Sequence, residues 1–152
     1  MTDFELVKAA LEARELAYTP YSSHAVGAAL LSKDGQLFKG CNIENAGYTP
    51  TNCAERTAIF KAVSEGVRDF DSIAVVGGMR DLKNLPVCAP CGVCRQVLNE
   101  FVNAKDFTVV LAEVDGVDDL ASITEKDVRI EKYTLDQLLP LGFGPKNLKS
   151  TL

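Results

Sequence analysis

Apolar residues recur at helical spacing from the start of the chain. Phe4, Val7, Ala10, Leu11 and Ala17 follow a Thr2-x-x-Glu5 capping box, which predicts an amphipathic helix over residues 3–17 that Pro20 ends. The period then shortens. Val26–Leu31 and Gln36–Cys41 read as two strands joined by a Lys33-Asp34-Gly35 turn. A polar stretch from Asn42 to Asn52 precedes an alanine-rich helix over 53–65, stopped by Gly66. Ser72–Val76 is a β-branched run ending in Gly77-Gly78, the pattern of a buried strand. Cys91–Val102 is again helical, Phe107–Ala112 is a strand, and Asp115–Asp127 is an acidic surface excursion. Val128–Tyr133 is the last strand, followed by a second capping box, Thr134-x-x-Gln137. Strands mixed with helices in this order predict an α/β fold with helices on both faces of a sheet.

Length and composition agree with that picture. The 152 residues suit one domain, residues 1–152, with no repeat or linker to divide it. A domain this size buries roughly 70% of the surface that its unfolded chain exposes. Hydrophobic residues make up 47% and charged residues 24%, which excludes a disordered chain. The net charge of −5 argues against a partner with a phosphate backbone. The start, Met1-Thr2-Asp3-Phe4-Glu5, has acids where a signal peptide needs bases. Apolar stretches such as Ala25–Leu31 are far shorter than the roughly 18 residues of a membrane span. The expectation is a cytoplasmic, reducing setting, where cysteine clusters serve metal or redox chemistry.

Five cysteines and one histidine are the candidate chemistry. Pro90-Cys91-Gly92-Val93-Cys94 sets two thiols three residues apart at a helix start, a metal-ligand spacing and also a redox spacing. Upstream, Asn52-Cys53-Ala54-Glu55-Arg56 opens another helix with a thiol and a carboxylate. Three thiolates around Zn²⁺ leave one net negative charge, which two helix N-termini favour. Arg56 and Arg95, each beside a ligand, offset it further. Three protein ligands leave one open position, the catalytic arrangement, where a bound water becomes a nucleophile near neutral pH. Glu55 is the carboxylate placed to shuttle that water's proton. Plainer readings exist for each part. Glu55 at the third position after Asn52 fits a helix cap. Cys88, Cys91 and Cys94 invite an iron–sulfur reading, but Leu98 stands where the ferredoxin run has its next cysteine. Cys41 and Cys88 are expected to be buried structural thiols.

Cys-Ala-Glu followed by Pro-Cys-Gly-Val-Cys resembles the zinc-dependent nucleoside and nucleobase deaminases. Further segments narrow the likeness to the small homotetrameric cytidine deaminases. They are Pro20-Tyr21-Ser22, Val26-Gly27-Ala28-Ala29-Leu30, Gly40-Cys41-Asn42-Ile43-Glu44-Asn45-Ala46, Arg95-Gln96-Val97-Leu98, and Leu138-Leu139-Pro140 with Phe143. Residues 113–128 match no motif of the family. The resemblance implies a three-layer α/β/α sandwich around a mixed five-stranded sheet.

It also implies roles. Cys53, Cys91 and Cys94 hold one zinc per chain, and Arg56 hydrogen-bonds the ligand sulfurs. Glu55 carries protons between water and N3 of the pyrimidine. Asn42 and Glu44 bind the ribose, the chemistry of an amide and an acceptor-only carboxylate. Ala54 faces the base, while Ala46, Tyr48 and Phe143 belong to substrate sites shared between subunits. His24 stands where the family has a phenylalanine against the pyrimidine, and it adds a polar edge there. The implied activity is deamination of cytidine and deoxycytidine by a cytoplasmic homotetramer in pyrimidine salvage, with a nucleoside as partner and neither nucleic acid nor membrane. The alternatives are a deaminase of a nucleoside antibiotic such as blasticidin S, and a zinc-binding module without catalysis.

Overall fold

The computed structural model describes residues 1–148. Helix α1 (Asp3–Arg14) leads into strands β1 (His24–Ser32) and β2 (Leu37–Cys41), then helix α2 (Ala54–Ser64) and strand β3 (Phe70–Met79). Helix α3 (Gly92–Phe101) connects β3 to β4 (Thr108–Val114). Two single 3-10 turns precede β5 (Val128–Thr134), and the short helices α4 (Leu135–Leu138) and α5 (Pro145–Leu148) close the described chain.

The five strands form one mixed sheet in the order β2-β1-β3-β4-β5. Only β3 and β4 run parallel, because α3 is the crossover between them. Side chains alternate between the faces. Ala28, Leu30, Ile73, Val75, Val109 and Leu111 face α2 and α3. Ala29, Ala74, Val76, Val110 and Ala112 face α1. Helices therefore cover both sides, as the α/β/α expectation requires.

Both capping boxes form. Thr2 and Glu5 exchange bonds of 2.8 and 3.1 Å, and Thr134 N–H donates to Gln137 at 2.9 Å. Helix α1 is shorter than its predicted 3–17. After Arg14 the amides of Glu15, Leu16 and Ala17 bond three residues back, tightening the end into a turn that still buries Ala17. Strand β3 is longer than predicted and runs through Gly77-Gly78, which pair with Val26 and Ala25 of β1. Pairing on a central strand outweighs the local weakness of glycine there. At Gly40 a Cβ would fall 2.5 Å from Ala54 O and Ala58 N. The bare backbone lets the start of α2 lie directly on β2, which matters because α2 opens on Cys53.

Candidate active site

Two helices begin with a cysteine. Cys53 is the N-cap of α2 and Cys91 the N-cap of α3, and neither side chain caps its own helix. Both thiols point instead at a shared centre, joined by Cys94 from the first turn of α3. The Cys53 and Cys91 sulfurs are 3.8 Å apart, and those of Cys91 and Cys94 are 3.6 Å apart. All three lie within 4.8 Å of one another. Two N-terminal helix dipoles therefore meet at one cluster of thiols.

The donor set suits a soft, thiophilic divalent cation. Hydrogen bonding from Cys94, aided by Arg56, pulls the Cys53 thiol down to about 5 against the effect of burial. The same bond retains the proton of Cys94 and raises that thiol, with burial adding to the rise. The pair thus shares one proton where a cation would replace it. Arg56 Nη2 donates to Cys53 Sγ at 3.1 Å, while its Nε is buried without a hydrogen-bond partner. Burial lowers the Arg56 pKa, but the bonds and charges of Cys53 and Cys94 outweigh it and the pKa rises. A fixed cation beside the sulfurs fits a centre with net negative charge. Arg95 does not take part as expected. Its guanidinium donates to Pro90 O at 2.8 Å and Leu138 O at 2.7 Å, because α3 turns position 95 away from the sulfurs.

Glu55 is 4% exposed, on the first turn of α2. Burial pushes its carboxyl up to about 7, and the neighbouring Cys53 thiolate adds to the rise. The cap reading of Glu55 is excluded, since Cys53 and not Asn52 is the N-cap; Asn52 Nδ2 donates to Thr57 Oγ1 at 3.2 Å instead. Ala54, between Cys53 and Glu55, is fully buried. Cys88 and Cys41, expected to be buried structural thiols, are half-buried.

The polar stretch before α2 is folded back on itself. Ile43 and Asn52 exchange backbone bonds of 2.9 and 3.0 Å, so Asn42 and Glu44 flank the strand end that leads into Cys53. Asn42 Oδ1 accepts from Val26 N–H at 2.9 Å and its Nδ2 donates to His24 O at 2.8 Å. One N–H and one lone pair remain unused. Glu44 accepts from the N–H groups of Tyr21 and Ser22 at 3.0 and 3.1 Å and from the Ser22 hydroxyl. That hydroxyl, foremost, holds the carboxyl below its usual range. Tyr21, Ser22, Glu44, Tyr48 and Thr51 line a hollow of about 230 Å³. The Tyr21 and Tyr48 rings meet edge to face at 6.0 Å, with Tyr48 at a positive φ of 59°. Ala46 is exposed in the turn before Tyr48.

His24 begins β1 opposite Met79, half-buried, and its N–H donates to Ser22 Oγ at 3.0 Å. Phe143 is 56% exposed, with its carbonyl held by Gln96 at 2.8 Å and Asn99 at 2.9 Å. A larger hollow of about 770 Å³ lies between α3 and this tail, but neither Glu55 nor any cysteine lines it. Chemistry, not size, places the site at the thiols.

Two contributors escaped the sequence reading. Ser22 orders Glu44. Arg14 is buried to 6% exposure, and its guanidinium donates to Ala25 O at 2.9 Å and to Gly78 O and Met79 O at 2.9 and 3.2 Å. Its signal was present: Arg14 lies three and four residues after Leu11 and Ala10, on the apolar face of α1.

Comparison with known proteins agrees with this geometry. Residues 1–111 match the family model described as the cytidine and deoxycytidylate deaminase zinc-binding region. The chain is 49% identical over 143 residues to a cytidine deaminase of Halalkalibacterium halodurans, covering 94% of this chain and 95% of that one. It is 46% identical over 144 residues to a cytidine deaminase of Sporosarcina psychrophila, covering 95% and 93%. The crystal structure of cytidine deaminase from Burkholderia pseudomallei superposes with a TM-score of 0.75 at 44% identity, covering 94% of this chain and all of that one.

Proposed function

Since the chain belongs to the zinc-binding cytidine and deoxycytidylate deaminase family, we propose that it hydrolyses cytidine and deoxycytidine to uridine and deoxyuridine, releasing ammonia. The observation that carries this reading is the meeting of Cys53, Cys91 and Cys94 beside a buried glutamate.

Cys53, Cys91 and Cys94 would hold the zinc. When bound there, zinc supplies Lewis-acid activation of water. Glu55 would take a proton from water in the site and pass it to N3 of the pyrimidine. A carboxyl that burial pushes above its ordinary range can both accept and donate near neutral pH. Arg56 steadies the Cys53 sulfur. Asn42 and Glu44 receive the sugar through the bonding capacity that their local contacts leave free. An ionised Glu44 repels a phosphate and accepts from a hydroxyl, which supports a nucleoside over a nucleotide. His24 and the Ala54 backbone border the base. Ala46, Tyr48 and Phe143 are exposed in the single chain, as residues shared across a homotetramer would be. The 152 residues act as one domain, in the cytoplasm, in pyrimidine salvage.

The test is an ultraviolet assay of cytidine, deoxycytidine and blasticidin S with zinc-loaded protein. The expected result is conversion of the two nucleosides to their uridine counterparts. Conversion of blasticidin S alone would move the assignment to antibiotic inactivation. Zinc-loaded protein that leaves all three unchanged would mark a non-catalytic zinc module.

A further inference from the structure

Residues 115–127, the excursion between β4 and β5, include none of the candidate site residues. They touch the loop that carries one of them. Leu85 and Val114 exchange backbone bonds of 2.7 and 3.0 Å. Val117 N–H donates to Lys83 O at 2.8 Å, and Gly116 N–H donates to Asn84 Oδ1 at 3.1 Å. Leu85, Val117 and Ile123 are buried together at the edge of the α1 core. The base of the excursion is tied by Asp115 N–H to Asp127 O at 2.9 Å and by Arg129, which reaches both Asp115 and Glu113. Leu120 O accepts from Lys8 Nζ at 3.4 Å, anchoring its tip to α1.

The consequence lies six residues further along. After Leu85 the chain crosses the end of β3, where a Cβ on Gly78 would come within 2.9 Å of Leu85 Cδ2. It then runs through Pro86 and Pro90 to Cys91. Among the described residues, the backbone of 86–90 makes no backbone–backbone hydrogen bond. Among the described residues, the Leu85–Val114 pair is therefore the last backbone tether before the Cys91 thiol, and the Arg95 bond to Pro90 O is the only other polar hold on the way.

We propose that the β4–β5 excursion is a buttress for the metal-binding loop, and that Leu85 and Val117 are the positioning residues through which it sets Cys91. This rests on the reading that Cys91 binds zinc, which the zinc content of the wild-type protein tests by itself. Loosening the tether lets the Cys91 sulfur depart from the other two and speeds loss of the ion, since outer contacts of metal sites typically change affinity by roughly 10–100-fold.

Zinc-loaded protein is mixed with excess chromophoric chelator and the release rate is read. Leu85→Ala should release zinc on the order of tenfold faster than wild type. Val117→Ala should be faster in the same direction, and Val117→Ile should keep the wild-type rate. The control is Phe70→Leu, a truncation of a buried residue at the far end of β3. It should lower thermal stability without changing release. Should Leu85→Ala fail to fold, Asn84→Ala removes only the bond to Gly116 and carries the test, with faster release expected. Release rates that track thermal stability in every variant, Phe70→Leu included, overturn the proposal. So do unchanged rates in the Leu85, Val117 and Asn84 variants. Wild-type protein without zinc overturns the metal reading and this inference with it.

Discussion

Cys53 and Cys91 are 38 residues apart in the chain and 3.8 Å apart at sulfur, each at the N-cap position of a different helix. Neither helix is long enough to bring the other's cysteine along; packing of both helices on the same face of the sheet does it. On the proposed reading, removal of either thiol takes a ligand from the same ion. Cys53→Ser and Cys91→Ser should each purify with well under one zinc per chain, where wild type holds about one. Elemental analysis of the purified proteins checks this. Full zinc content in either variant would mean that the ion sits elsewhere.

Glu55→Gln keeps the shape of the site and removes the carboxyl proposed to carry its protons. Turnover of cytidine should fall by about 10²–10⁴-fold, the usual contribution of a positioned acid–base group. Zinc content and the far-ultraviolet circular dichroism spectrum should match wild type. Loss of zinc along with activity would instead give Glu55 a part in holding the ion.

The raised pKa of Glu55 also predicts how stability depends on pH in the metal-free protein. Folding costs the ionised form its hydration, so the folded value, about 7, lies above the unfolded value near 4.5. The stability tied to the neutral form is therefore complete below pH 4.5 and lost as pH rises through 7. Glu55→Gln escapes that loss. After zinc is stripped by chelation, the variant should match wild type near pH 4 and be the more stable at pH 8, by up to about 3 kcal/mol. Urea unfolding at the two pH values reads the difference; a gap that is the same at both would rule out ionisation as its cause.

The parts of the site that were legible in the sequence are those whose chemistry is carried by residue type and spacing. Cys91-Gly92-Val93-Cys94 fixes two sulfurs on one turn, and Cys53-Ala54-Glu55 puts a thiol and a carboxylate at one helix start. Ser72–Val76 followed from a β-branched run, the first two strands from the turn at Lys33-Asp34-Gly35, and both capping boxes from four-residue patterns. Partners set by tertiary packing were not legible. Arg95 has the same charge as Arg56 and also follows a cysteine, yet it points to the tail, because helix phase decides direction. The Ile43–Asn52 bridge, which pairs the residue before Glu44 with the residue before Cys53, leaves no periodicity, since it is a single pair. Gly77-Gly78 looked like a strand end, and only the register with β1 shows otherwise.

Glu44 should be felt through the sugar and not the base. Glu44→Ala removes a carboxylate that also orders the Tyr21–Ser22 turn. The expected result is a rise in KM for cytidine and deoxycytidine, with kcat/KM falling by roughly 10–100-fold, the worth of a hydrogen bond to a charged group. Any slow turnover of free cytosine, which has no sugar, should stay unchanged. Equal losses on cytosine and cytidine would show that Glu44 acts on the base or on the fold.

Arg14 is a buried cation whose nearest partners are carbonyl oxygens. Burial lowers its pKa, yet three backbone carbonyls at the ends of β1 and β3 accept from it, and they are beside His24 and the start of the metal-binding loop. Arg14→Ala strands those carbonyls in the core and opens a cavity where the guanidinium lay. It should cost about 3 kcal/mol of unfolding free energy. Arg14→Lys keeps the charge but not the fork that reaches two strands at once, so it should recover only part of the loss. Urea unfolding of the zinc-loaded variants provides the measurement. A loss below about 1 kcal/mol in Arg14→Ala would mean that water replaces the guanidinium at those carbonyls, and that the strand ends hold without it.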